Sequence, residues 1–192
     1  MLLVVSTIVV FIGTIWPLVA ELILGRKLSV GAPFFEIAFT PFMVVLAIFL
    51  PLGAILPWKR AQILRAGSPL IGALSLSVAI GLLIWSLQTG GRILAPIGLA
   101  LSAWVILGSL TDLLMRCRMI DIGFSAGLRR LINLTRADWG KTFAHIGLGL
   151  TIFGISAITA WETEDIRVAK IGEEFEVSGY TFIFEDVSKI NG

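Results

Sequence analysis

A helix that crosses a bilayer needs about 20 consecutive apolar residues, and this chain of 192 residues holds five runs of that kind. They cover Met1–Leu24, Ile37–Pro57, Pro69–Leu87, Ile93–Met115 and Thr142–Trp161. Buried helices of a soluble protein would be accompanied by far more charge. Soluble domains are roughly 25% charged and 45–50% apolar, whereas this chain is 15% charged and 57% hydrophobic. The pattern predicts an all-α polytopic membrane protein of about five transmembrane helices, with membrane lipid as its surroundings. It excludes a disordered chain and a nucleic-acid-binding module, so no nucleic acid is expected as a partner. The first run lacks a basic flank and is too long for a removable signal peptide. A chain that starts directly inside a span is expected to be a piece of a longer protein.

Lys and Arg set the orientation, because short cytoplasmic loops hold an excess of them. The loops after the second and fourth runs carry nine, including Lys59, Arg60, Arg116, Arg118, Arg129 and Arg130. The loops after the first and third carry three: Arg26, Lys27 and Arg92. The N-terminus is therefore expected in the cytoplasm and the tail outside. Read as topology signals, these basic loops call for no anionic ligand. Trp58, Trp139 and Trp161 fall at span ends and Trp85 near one, the level that amphipathic rings favour.

Residues 1–161 are expected to form the helical bundle, and the remainder changes character. From Glu162 onwards there are eight acidic residues against Arg167, Lys170 and Lys189. Phe175 and Val177, then Tyr180, Phe182 and Phe184, alternate with period two, and Ser178-Gly179 between them signals a hairpin turn. Two strands alone are marginal in water, and the terminal Asn191-Gly192 is a turn dipeptide with no strand after it. Residues 162–192 are therefore expected to open an extracytoplasmic β domain, incomplete here.

Chemistry-bearing residues are few. One cysteine, Cys117, precludes intramolecular disulfides and Cys-x-x-Cys pairs. With no base placed beside it, Cys117 reads as a spectator. The single histidine, His145, lies inside the fifth run, where an ionisable group is a functional candidate. Gly149 sits one helical turn beyond it, with Ile152 next on the stripe. That glycine is expected to clear volume beside the imidazole for a flat macrocycle or a neighbouring backbone. Neutral imidazole is a strong axial ligand for haem iron. The competing use of His145 is a hydrogen bond between helices, with Gly147 and Gly149 promoting close packing. Asp112 and Arg116 are four apart and can pair at the interface. Glu21 lies near the outer end of the first run, and Gly31–Glu36 reads as an outer loop entering the second. Prolines 41 and 51 are a weak hint of the interrupted helices of a transport permease, and a bare docking scaffold is a third reading.

Three stretches resemble the CcmF family, the haem-lyase subunit of bacterial cytochrome c maturation, in its C-terminal part. The first is Phe11-Ile-Gly-Thr-Ile-Trp-Pro-Leu18 with Lys27-Leu-Ser-Val-Gly-Ala-Pro-Phe-Phe35. The second is Ala137-Asp-Trp-Gly-Lys-Thr-Phe-Ala-His-Ile-Gly-Leu-Gly149. The third is Arg167-Val-Ala-Lys with Gly179-Tyr-Thr-Phe-Ile-Phe184. The resemblance implies a bacterial inner-membrane protein that works with other cytochrome c maturation subunits. It would receive haem from a periplasmic haem chaperone and promote its attachment to apocytochrome c. It also implies a separate haem b in the membrane, held by two transmembrane histidines, and His145 matches one of these positions as an axial ligand to the haem iron. The tail matches the family's periplasmic domain. The family's tryptophan-rich motif, its periplasmic histidines and its other transmembrane histidine are absent from this chain.

Overall fold

The computed structural model describes residues 1–25, 30–55, 63–89, 93–119, 123–162 and 167–187. Arg26, Lys27, Pro57, Trp58, Lys59, Arg60, Arg92, Lys189 and the Asn191-Gly192 dipeptide lie outside the described residues. The described helices are α1 (Leu2–Leu24), α2 (Ala32–Ala38), α3 (Thr40–Ile55), α4 (Ile63–Leu87), α5 (Leu94–Cys117), α6 (Phe124–Ile132) and α7 (Arg136–Trp161). Strands β1 (Glu174–Val177) and β2 (Tyr180–Ile183) follow. This is an all-α membrane protein with a short β segment. Among the described residues, four helices are long and apolar enough to cross a membrane: α1, the Pro69–Leu87 part of α4, α5 and α7.

The second expected span departs from the sequence reading. Gly31–Glu36 does not stay a loop: Gly31 is the extended N-cap of α2, and a proline occupies the first turn. Proline is tolerated there because its missing N–H has no intrahelical partner to lose. The helix then breaks at Phe39 and restarts as α3, with Pro41 again in a first turn. The described part of helix α3 is 16 residues long, or ~24 Å at 1.5 Å per residue. Helix α7, conversely, starts six residues before Thr142. Thr135 caps it, its Oγ1 accepting the Asp138 N–H at 3.2 Å, which draws the polar stretch Arg136–Lys141 into the helix.

Helix α5 is the hub and packs against α3, α4 and α7. Ala47, Leu70, Ala73, Trp104 and Val105 form the main core, and the Trp104 indole N–H donates to the Ile48 carbonyl at 3.0 Å. Lipid chains are as apolar as leucine, so helices in a bilayer associate through close packing rather than burial from water. Pro51 is used this way, buried against Gly108, where a Cβ would meet the proline ring at 2.4 Å. Helix α1 packs on α2 and α3 and leaves Leu3, Phe11, Ile12, Leu18 and Leu22 exposed. Its Gly13 seats the Phe34 and Phe35 rings, so the Phe11–Leu18 stretch and the Phe-Phe pair of α2 meet in space.

Strands β1 and β2 pair antiparallel, Phe175 opposite Phe182 and Val177 opposite Tyr180. The turn residues Ser178 and Gly179 have φ of 53° and 80°, the type I′ geometry whose twist matches paired strands. The Phe175 and Phe182 rings stack at 5.8 Å, and the Arg167 guanidinium lies 4.9 Å from the Phe175 ring centroid.

Candidate functional site

His145 stands in the third turn of α7, one turn beyond Lys141. At 1.5 Å per residue it lies ~6 Å further into the helix than Lys141. The face of α7 turned to α5 is marked by the buried residues Thr142, Gly149, Ser156 and Ala160. His145 is about 40° from Gly149 around the helix, so it sits at the edge of that face and is partly buried. Among the described residues its imidazole makes no hydrogen bond or ion pair. Among the described residues it is not used as interhelical glue.

Three contacts fasten α7 to α5. Towards the far end of the pair, Ser156 lies against Gly98, where a Cβ would come within 2.1 Å of the serine Oγ. In the middle, Ser102 Oγ donates to the Gly149 carbonyl at 2.8 Å. At the His145 end is a cluster of four charges. Asp112, 5% exposed, accepts from Arg116 Nε at 3.1 Å and from Lys141 Nζ. Arg116 Nη1 also donates to Asp138 Oδ1 at 2.9 Å, and Asp138 Oδ2 accepts from Thr135 Oγ1 at 2.6 Å. Two carboxylates and two cations balance each other, which is what a charged group at the edge of a low-dielectric region requires.

The expected Asp112–Arg116 pair is present, but it is not an isolated surface pair. Burial of Asp112 and the arrival of Lys141 and Asp138 make it a bridge between helices. The sequence shows Lys141 only as a charge near a span end; the Thr135-x-x-Asp138 cap was the available signal that this segment is helical. The volume expected beside His145 at Gly149 is not open. The Ile106 side chain fills it, 2.5 Å from where a Cβ would be, with the Ser102 carbonyl next at 3.4 Å. Gly149 serves the approach of a neighbouring helix. Gly147 has open space around it, but lies on the side of α7 away from His145. Cys117 is fully buried at the end of α5. Trp104, which the sequence did not single out, is the tryptophan that the core uses. Trp139 stacks on Phe143 at 5.4 Å, at the start of α7.

Among the described residues no three of His, Cys, Asp and Glu converge to cage a bare metal ion. A haem iron asks less of a chain, since one axial donor from a single imidazole is enough for one face. His145 fits that requirement: it is partly exposed, lies in a helix long and apolar enough to cross a membrane, and is unengaged among the described residues.

The whole chain is 50% identical over 191 residues to a cytochrome c-type biogenesis protein of Rhodobacter capsulatus. It is 38% identical over 192 residues to the cytochrome c-type biogenesis protein CycK of Rhizobium meliloti. The resemblance to CcmF-type proteins runs end to end. It extends to CcmF of Escherichia coli, at 30% identity over 193 residues. The chain spans 28% of the length of each of these relatives. No family model and no solved structure matches it. The relatives are cytochrome c biogenesis proteins by name, and the CcmF-like part present here contains the α5–α7 pair, the charge cluster and His145.

Proposed function

We propose that this chain is the part of a CcmF-type cytochrome c maturation protein that supplies His145 as one axial ligand to a haem b within the bacterial inner membrane. The observation that supports this reading is the unengaged imidazole. It is the chain's only histidine, it stands inside a membrane-crossing helix, and no described group competes for its nitrogens. An ionisable side chain left idle in a span is costly unless it has a ligand or a partner to meet. When bound, such a haem supplies one-electron transfer, which would keep the haem being delivered in its ferrous state. The residues of this chain do the positioning. Helix α5 holds α7 through Ser102, Gly98 and the Asp112 cluster, and so fixes the direction in which the imidazole faces.

The second axial histidine, the haem chaperone contact and the attachment of haem to apocytochrome c are assigned to the remainder of the complete protein and its partner subunits. The basic loops support a cytoplasmic N-terminus and a periplasmic tail. Replacing His145 with Ala in the complete protein should abolish or strongly reduce the b-type haem absorbance while the protein still accumulates in the membrane. An unchanged spectrum would remove His145 from the ligand role.

A further inference from the structure

Helix α6 has a use that the loop charges alone do not suggest. Its apolar residues Phe124, Leu128 and Ile132 recur every four positions and are 75%, 42% and 74% exposed. They form a stripe along one side. Gly127 packs on Met119 beside the end of α5. Around the opposite side, Ala126, Arg129 and Arg130 line an open cleft of about 600 Å³, completed by Asn133, Leu134 and Arg116. Arg116 is committed to Asp112 and Asp138. The guanidinium groups of Arg129 and Arg130 have no carboxylate partner among the described residues. The cleft is thus positively charged, with two uncommitted arginines set in a lining that is otherwise largely apolar.

The neighbours of α6 along the chain say where it lies. It joins the end of α5 to the start of α7, and both are long and apolar enough to cross a membrane. A short helix so placed, with an apolar stripe on one side and arginines on the other, lies in the plane of the interface. Its stripe enters the acyl layer and its cationic side stays at headgroup level, where Arg is well suited to phosphate oxygens. We propose that this cleft binds the phosphate headgroup of an anionic phospholipid, with Arg129 and Arg130 as its ligands and the Phe124–Leu128–Ile132 stripe seated among the chains. The site is separate from His145 and does not depend on haem.

The test is native mass spectrometry of the full-length protein in detergent. It is titrated with phosphatidylglycerol, with phosphatidylcholine of the same acyl chains, and with inorganic phosphate. The expected result is preferential retention of phosphatidylglycerol, reduced about 30-fold by R129Q with R130Q, the scale of two arginines acting on an anionic lipid. The pair R129K with R130K keeps the charge and should keep most of the preference, which separates lost binding from lost folding. Equal retention of the two lipids would overturn the proposal, as would a phosphatidylglycerol preference unchanged by R129Q with R130Q. Displacement of the lipid by inorganic phosphate at comparable concentration would assign the cleft to a soluble anion and overturn it too.

Discussion

Truncating Asp112 to Ala should destabilise the α5–α7 pair by about 3 kcal/mol. The Asp112 side chain is 7% exposed and faces two cations, Arg116 and Lys141. Unit charges ~3 Å apart attract by ~5 kcal/mol at an effective dielectric of ~20. Desolvation of the carboxylate offsets much of that attraction. Removing one member of a buried pair costs about 3–5 kcal/mol, because the other charge is left stranded. The lower end applies here, since the Lys141 and Arg116 side chains are 28% and 39% exposed and water takes up part of the stranded charge. Lys141→Met should cost about 1–2 kcal/mol, because Asp112 keeps Arg116. If the two groups act on each other, the double variant will be more stable than the sum of the single losses by about 1.5 kcal/mol. Equilibrium unfolding of the full-length protein in detergent, followed by far-ultraviolet circular dichroism, measures all four species. Additive losses to within ~0.5 kcal/mol would refute the bridge between helices as a stabilising contact.

Other changes separate packing from ligation. Gly149→Val places a branched side chain where Ile106 already sits and should cost about 1–3 kcal/mol. Gly147→Ala meets nothing within 4 Å and should be neutral or stabilising by about 0.5–1 kcal/mol, the helix preference of Ala over Gly; the same unfolding assay ranks the two. A scaffold that needed both glycines for docking would lose assembly with either. Trp104→Phe removes the donor to the Ile48 carbonyl and should cost about 1 kcal/mol, with a loss of one indole's fluorescence to confirm the change. Gly179→Val forces a β-branched residue to a φ of 80°, and should open the hairpin, read as faster amide exchange at Phe175 and Phe182.

Four of the spans were legible because hydropathy over ~20 residues needs no tertiary information. The break at Phe39 was hidden because Ile37-Ala-Phe-Thr-Pro41 is apolar enough to pass as the opening turn of a span. The local signal was Pro41, which disfavours helical geometry in the residue before it and marks a helix start more often than a helix middle. The hairpin was legible from Ser178-Gly179, since a two-residue turn with both φ values positive has few sequence solutions. The charge cluster was not. Asp112 and Lys141 are 29 positions apart, and only the pairing of α5 with α7 brings them together. For His145, its depth in the helix and its spacing from Gly149 were legible. That Ile106 fills the space at Gly149 was not legible, because it depends on which helix lies opposite.

The packing at Gly149 governs how the imidazole is aimed. A helix held at one contact can rotate about its axis, and a step of one residue turns it by about 100°. Such a turn would carry His145 from the edge of the α5 face either into the packed interface or out among lipid. Helix α7 is held at three heights instead: Ser156 on Gly98, the Gly149 carbonyl on Ser102, and Lys141 on Asp112. Three contacts on one face leave a single rotational phase that satisfies them all. The sparing use of polar groups follows from the same need, since in lipid a helix has little hydrophobic preference for one phase over another. The small residue at 149 then matters through distance: a larger side chain would push α7 off α5, lengthen the Ser102 contact and release the phase. If His145 ligates the haem proposed above, Gly149→Val should weaken b-type haem binding although residue 149 is not itself a ligand, and Ser102→Ala should do so less, because only one of the three fastenings is lost. Spectral titration of the two variants in the complete protein orders them, and the reverse order would show that the imidazole is aimed by something other than α5.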